Sequence, residues 1–97
     1  MENLSELLKL RREEKALLLR EVASKIEVDT ALISKIENKD RRPTKEQLKK
    51  LSVTLEMDFE KLLTLWYAEK FYEEIKDETN ASEILKVLSK KIKLTEI

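Results

Sequence analysis

Seven cations, Lys35, Lys39, Arg41, Arg42, Lys45, Lys49 and Lys50, stand within sixteen residues against three carboxylates, Glu37, Asp40 and Glu46. That density suits one kind of chemistry, the electrostatic capture of an anion. It gives a basic edge to a chain whose formal net charge is zero. Catalytic chemistry is poorly supplied by comparison. The sequence has no His and no Cys, so the most frequent general base, the thiol nucleophile and the commonest transition-metal ligands are missing. Carboxylates are plentiful, yet they sit beside Lys as solvent-facing helix charges rather than converging on a nucleophile. A non-enzymatic protein with no metal and no cofactor is expected.

The elements that must carry this edge are helices. Gly is absent, Pro43 is the one proline and aromatics make up 5% of the 97 residues, a composition that reads as all-α. Charged and apolar residues each contribute 41%, and the apolar ones fall at helical spacing, which argues for a folded chain. Asn3 with Glu6 marks the start of a first helix running to about Glu14. A second spans roughly Leu19 to Lys25, and Asp29 caps a third from Thr30 to about Glu37. Thr44 with Gln47 opens a fourth, with Leu48, Leu51 and Leu55 on its inner face. Asp58 caps a long fifth helix reaching about Lys76, and Asn80 with Glu83 opens a sixth carrying Ile84, Leu85, Val87, Leu88 and Ile92. No run approaches the roughly 18 apolar residues of a spanning helix, and residues 1–14 lack the apolar block of a signal peptide. A cytoplasmic protein with no membrane association follows as the expectation.

The break at Glu27-Val28-Asp29 is the informative one. So short a connection forces two helices to cross steeply, with Val28 pointing inward to fix the angle. On geometry alone a DNA-reading helix and an ordinary bundle corner fit this equally. The flanking residues favour the first reading. If the third helix buries Leu32 or Ile33 together with Ile36, then Thr30, Ala31, Ser34 and Lys35 face outward. Short side chains at the N-terminal end followed by a cation suit a helix laid into a major groove about 12 Å wide.

From Leu4 to Leu63 the chain resembles the phage-repressor-like (Xre/Cro-type) helix-turn-helix family, through the stretches LRREEKAL, REVASKIEVDTALISKIEN and RRPTKEQLKKLSVTLEMDFEKLL. The resemblance implies a five-helix DNA-binding domain over residues 1–64, here with the fifth helix extended and an additional C-terminal helix in a 65–97 extension. It implies base contacts from Thr30, Ala31, Ser34 and Lys35, and phosphate contacts from Arg20, Lys39, Arg41, Arg42 and Thr44. It also implies a structural ion pair between Arg12 and Glu37. Three positions depart from the family pattern. Glu27 replaces the usual turn glycine, and at positive φ it would carry strain of order 1 kcal/mol. Leu18 and Leu19 replace a polar cap and a Gln that commonly hold a phosphate. Arg11 stands where the family prefers an apolar residue, which places it at the rim or rotates the first helix.

Trp66, Tyr67, Phe71 and Tyr72, with Ile84 and Leu88 of the last helix, make more apolar surface than one small domain can cover. Aromatic residues are enriched at interfaces, and these six residues are read as a homodimer interface. Two recognition helices about 34 Å apart would then read a pseudo-palindromic operator in double-stranded DNA. The expected protein is a transcriptional regulator, a repressor or an activator, with a weaker resemblance to controllers of restriction–modification genes. Two rival readings stand beside it. One is an antitoxin whose C-terminal helices also cover a toxin; the other is a protein-interaction module without DNA, suggested by the zero net charge and the Leu17-Leu18-Leu19 patch.

Overall fold

Without glycine, and with Pro43 as its one proline, the chain turns corners only where a cap allows it. The computed structural model describes residues 3–95 and places in them α1 (Leu4–Glu14), α2 (Leu19–Lys25), α3 (Thr30–Glu37), α4 (Lys45–Thr54), α5 (Phe59–Ile75) and α6 (Ala81–Thr95). Among the described residues there is no strand, and no helix is long and apolar enough to cross a membrane. Asn3, Asp29 and Thr44 each accept a hydrogen bond from the backbone N–H three residues on, at 2.9, 2.9 and 3.1 Å. Gln47 completes the reciprocal half of its box by accepting from the Thr44 N–H at 2.9 Å. At α2 only that half exists. The Glu21 carboxylate accepts the Leu18 N–H at 2.8 Å, while the Leu18 hydrocarbon side chain has no acceptor to return.

The helix ends follow one pattern four times. Ala16, Glu27, Lys39 and Glu56, the residues after the C-caps of α1 to α4, have φ of 54°, 59°, 67° and 54°. In each case the next N–H closes back onto the helix: Leu17 to Arg12 O at 3.1 Å, Val28 to Ala23 O at 3.0 Å, Asp40 to Lys35 O at 2.9 Å and Met57 to Ser52 O at 2.8 Å. These are Schellman closures, which satisfy the last carbonyls of a helix and strongly prefer glycine at the left-handed residue. The positive φ considered for Glu27 is thus one of four left-handed positions, among the described residues, that are filled with side-chain-bearing residues.

The core joins Leu4 and Leu8 of α1, Val22 and Ala23 of α2 with Ile26, Ile33 and Ile36 of α3, Leu48 and Leu51 of α4 with Leu55, and Leu62 and Trp66 of α5. Val28 leans on it from the α2–α3 corner. Each fully buried aliphatic side chain contributes about 1.5–3 kcal/mol relative to exposure. Arg11 lies at the rim, its Nε donating to Leu55 O at 2.9 Å and its Nη2 to Glu56 O at 3.3 Å. It puts a cation on the C-terminal carbonyls of α4, where both the helix dipole and the open acceptors favour one.

α5 runs unbroken from the body into the C-terminal extension. Leu62 and Trp66 pack inward, but Phe71, which its spacing places on the inward stripe, is 41% exposed and borders a cleft with Asn80, Ile84 and Leu88 instead of joining the core. α6 contributes nothing to the core, and Leu85, Val87, Ile92 and Leu94 are exposed. The radius of gyration, 15.6 Å, exceeds the roughly 12–13 Å of a compact chain of this length, as expected when two helices project from a small body.

Candidate nucleic-acid interface

α3 is built to show one face. Asp29 starts it, and Ile33 and Ile36 go into the core with Leu32 packed beside them. That leaves Thr30, Ala31 and Lys35 exposed and Ser34 partly exposed on the outer side. Lys35 makes no ion pair among the described residues, and neither its side chain nor that of Ala31 is covered by the chain's own C-terminal helices. Ser34 Oγ accepts a long hydrogen bond from Asn38 Nδ2, at 3.4 Å, which leaves its proton available outward.

The far end of α3 is clamped. Arg12 Nε and Nη2 donate to the two oxygens of Glu37 at 2.7 and 3.1 Å, and Arg12 Nη1 donates to Leu17 O at 2.8 Å. The pair is largely sequestered, with side-chain exposures of 13% and 7%. The Glu37 hydrogen bonds push the Arg12 guanidinium above its ordinary value, so it stays charged at every pH below strong alkali. Ser5 Oγ adds a hydrogen bond to Ile36 O at 2.7 Å. α1 therefore holds the last turn of α3 through two side chains, which fixes the direction in which the outer face points.

The basic loop follows without slack. The N–H groups of Asp40 and Arg41 both donate to Lys35 O, at 2.9 and 3.3 Å, so the loop begins on the end of α3 itself. Lys39, Arg41 and Arg42 are exposed, and the Lys39 ammonium is 3.9 Å from Glu6. At the other end Pro43 is buried, and its carbonyl accepts the indole N–H of Trp66 at 2.7 Å. Thr44, itself exposed, then caps α4, with its N–H taken by Gln47. Arg20, in the first turn of α2, is exposed too. Beside it the Glu21 carboxylate occupies the Leu18 N–H, so a negative group already sits where a phosphate would approach α2.

Thr30, Ala31, Ser34 and Lys35 thus share one helix face, and Lys39, Arg41, Arg42 and Thr44 flank it on a tethered loop. The C-terminal candidates divide. Trp66 is 8% exposed and belongs to the core, while Tyr67, Phe71 and Tyr72 are exposed along α5 and Ile84 and Leu88 are partly covered on α6. The Tyr67 hydroxyl accepts from Lys45 Nζ at 2.8 Å. Sequence reading misses the Ser5 and Trp66 contacts. Both join residues more than twenty positions apart to a backbone carbonyl, and carbonyls leave no mark on residue type.

The helix-turn-helix family model HTH_3 matches residues 8–62, just over half of the chain. Among solved structures, the SinR protein/SinI protein complex contains a chain with a TM-score of 0.57 and 23% identity, the match covering 95% of this chain and 98% of that one. At that identity the likeness is one of fold. No curated protein matches the chain.

Proposed function

We propose a function from one premise, that the chain belongs to the phage-repressor-like (Xre/Cro-type) helix-turn-helix family. As a member it is a DNA-binding transcriptional regulator. Beyond that, we assign it sequence-specific recognition of a pseudo-palindromic operator as a homodimer, in the cytoplasm and without catalysis. The observation that carries this reading is the outer face of α3, exposed at Thr30, Ala31 and Lys35 while its opposite side is bolted to α1.

In the mechanism, Arg41, Arg42 and Lys39, with Arg20, neutralise phosphates, the exposed Thr44 hydroxyl donates a hydrogen bond to one, and together these contacts set register. Such contacts position the protein but carry no sequence information. Base edges are read by Thr30, Ala31, Ser34 and Lys35. Ala31 suits the methyl group of thymine, and Lys35 suits the O6 and N7 acceptors of guanine. Residues 1–64 do the reading. Residues 65–97 pair two copies through Tyr67, Phe71, Tyr72, Ile84 and Leu88, with Trp66 beneath that surface.

Random-site selection with the purified full chain tests the proposal. Wild type is expected to enrich two related half-sites about one helical turn apart. Lys35→Ala is expected to change the preferred base at one position of each half-site. Arg41→Ala/Arg42→Ala is expected to weaken all sites about tenfold and to reduce the slope of log affinity against log salt by about 1.8. An unenriched wild-type pool would end the reading.

The exposed apolar side chains of α6 support a second reading for the C-terminal extension. The fold neighbour was solved as a complex of SinR protein with SinI protein, and a different protein, a toxin among them, could cover this face instead of a second copy. Sedimentation of the purified chain as a monomer, with a dimer absent even on DNA, would favour that reading.

A further inference from the structure

The loop that carries Lys39, Arg41 and Arg42 has two anchors. One is Lys35 O, which accepts from Asp40 and Arg41. The other is the buried hydrogen bond from Trp66 Nε1 to Pro43 O, 2.7 Å long. Between them the cations border an open cleft, whose far wall includes Glu69 and Tyr72 of α5. Arg42 makes no hydrogen bond or ion pair among the described residues, and Pro43 has no N–H to give, so between Arg41 and the Thr44 capping box the indole proton is the one hydrogen bond that holds the loop. The indole itself is held tightly. The Tyr67 ring meets it edge-on at 5.0 Å, the Lys70 ammonium lies 5.3 Å over its face, and Glu69, one turn along, accepts the Leu4 N–H at 2.7 Å.

We propose that Trp66 is a positioning residue for the DNA backbone contacts: through Pro43 O it fixes where Arg41 and Arg42 stand relative to α3. The proposal rests on the DNA-binding reading above and deepens it. It gives α5 a task within each copy of the chain that is separate from pairing two copies. Without the indole bond the loop would be held only at Lys35 O and at the Thr44 capping box, and its two guanidinium groups would sample more positions, at an ordering cost met in each binding event. Tied at both ends, the cations are presented at a fixed spacing, which is what phosphates on a regular duplex require.

Trp66 is the single tryptophan of the chain, so growth on an indole analogue alters this site alone. Replacing it with benzothienylalanine exchanges the N–H for sulfur and keeps the bicyclic shape. Trp66→Phe is the second variant, with Ala68→Ser on the exposed side of α5 as control. The analogue protein is expected to keep the wild-type helix content and oligomeric state. It should bind every duplex about fivefold more weakly, with the salt slope reduced by about 1 and the base preference unchanged. In the free protein, the Asp40 and Arg41 amides should exchange with solvent about tenfold faster, while the amides of α2 and α3 do not change. Wild-type affinity and slope in the analogue protein would overturn the proposal, as would a change in base preference without faster exchange. Should wild type bind no DNA at all, the function above fails, and the exchange measurement still decides whether Trp66 positions the loop.

Discussion

Arg12→Met is expected to cost the domain about 3 kcal/mol, read as a lower urea midpoint with an unchanged denaturant slope. Methionine matches the arginine stem in length and keeps most of its packing, so the loss isolates the guanidinium. What remains is a Glu37 carboxylate with 7% of its side chain exposed, no longer bonded at either oxygen, and a Leu17 carbonyl without its donor. Removing one partner of a buried pair is costly because the other is left charged and dry; the slight exposure of the guanidinium puts the effect at the low end of the usual range. Against a total stability of roughly 5–15 kcal/mol, that leaves the domain marginal at body temperature. Arg12→Met/Glu37→Met is expected to regain most of the loss, since two apolar groups of similar size leave no unpaired charge and only the Leu17 carbonyl without its donor. If the single variant costs less than about 1 kcal/mol, the pair is solvated in solution and the clamp on α3 lies elsewhere.

That pair is legible in the sequence only by family resemblance; composition and periodicity give no reason to join Arg12 to Glu37. The helices are legible for a more general reason. Asn3, Asp29, Thr44 and Asp58 are side chains whose acceptors serve the first open N–H groups of a helix, so residue type alone marks each start. The ends are less visible because the usual mark, glycine, is missing: Ala16, Lys39 and Glu56 take left-handed φ values with nothing in their type to announce it. Along α5 the apolar residues occur on all sides, so spacing cannot tell that Trp66 turns inward and Phe71 does not. The basic edge is visible as charge. Its two anchors, Lys35 O and Trp66 Nε1, are not, because a carbonyl looks the same in every residue and a tryptophan reads first as apolar surface.

The missing glycines lead to the second large effect, a gain in stability. The triple variant Ala16→Gly/Glu27→Gly/Lys39→Gly is expected to be more stable than wild type by about 2 kcal/mol, seen as a rise in melting temperature of about 10 °C. A residue with a Cβ pays about 1–2 kcal/mol to sit in the left-handed region, and glycine returns part of this by losing more freedom on folding, so each site nets somewhat under 1 kcal/mol. The three sites end three different helices, and their closing hydrogen bonds, Leu17 to Arg12, Val28 to Ala23 and Asp40 to Lys35, share no atoms. Near-additivity is therefore expected. The third substitution also deletes a cation, which separates stability from binding in one series. Ala16→Gly/Glu27→Gly should melt higher and bind DNA as wild type does, whereas adding Lys39→Gly should melt higher still and lose close to 0.9 from the salt slope. A double variant that melts at or below wild type would mean that the backbone at Ala16 and Glu27 is not left-handed in solution. Unchanged salt dependence in the triple would instead remove Lys39 from the phosphate contacts and leave Arg41 and Arg42 to carry them.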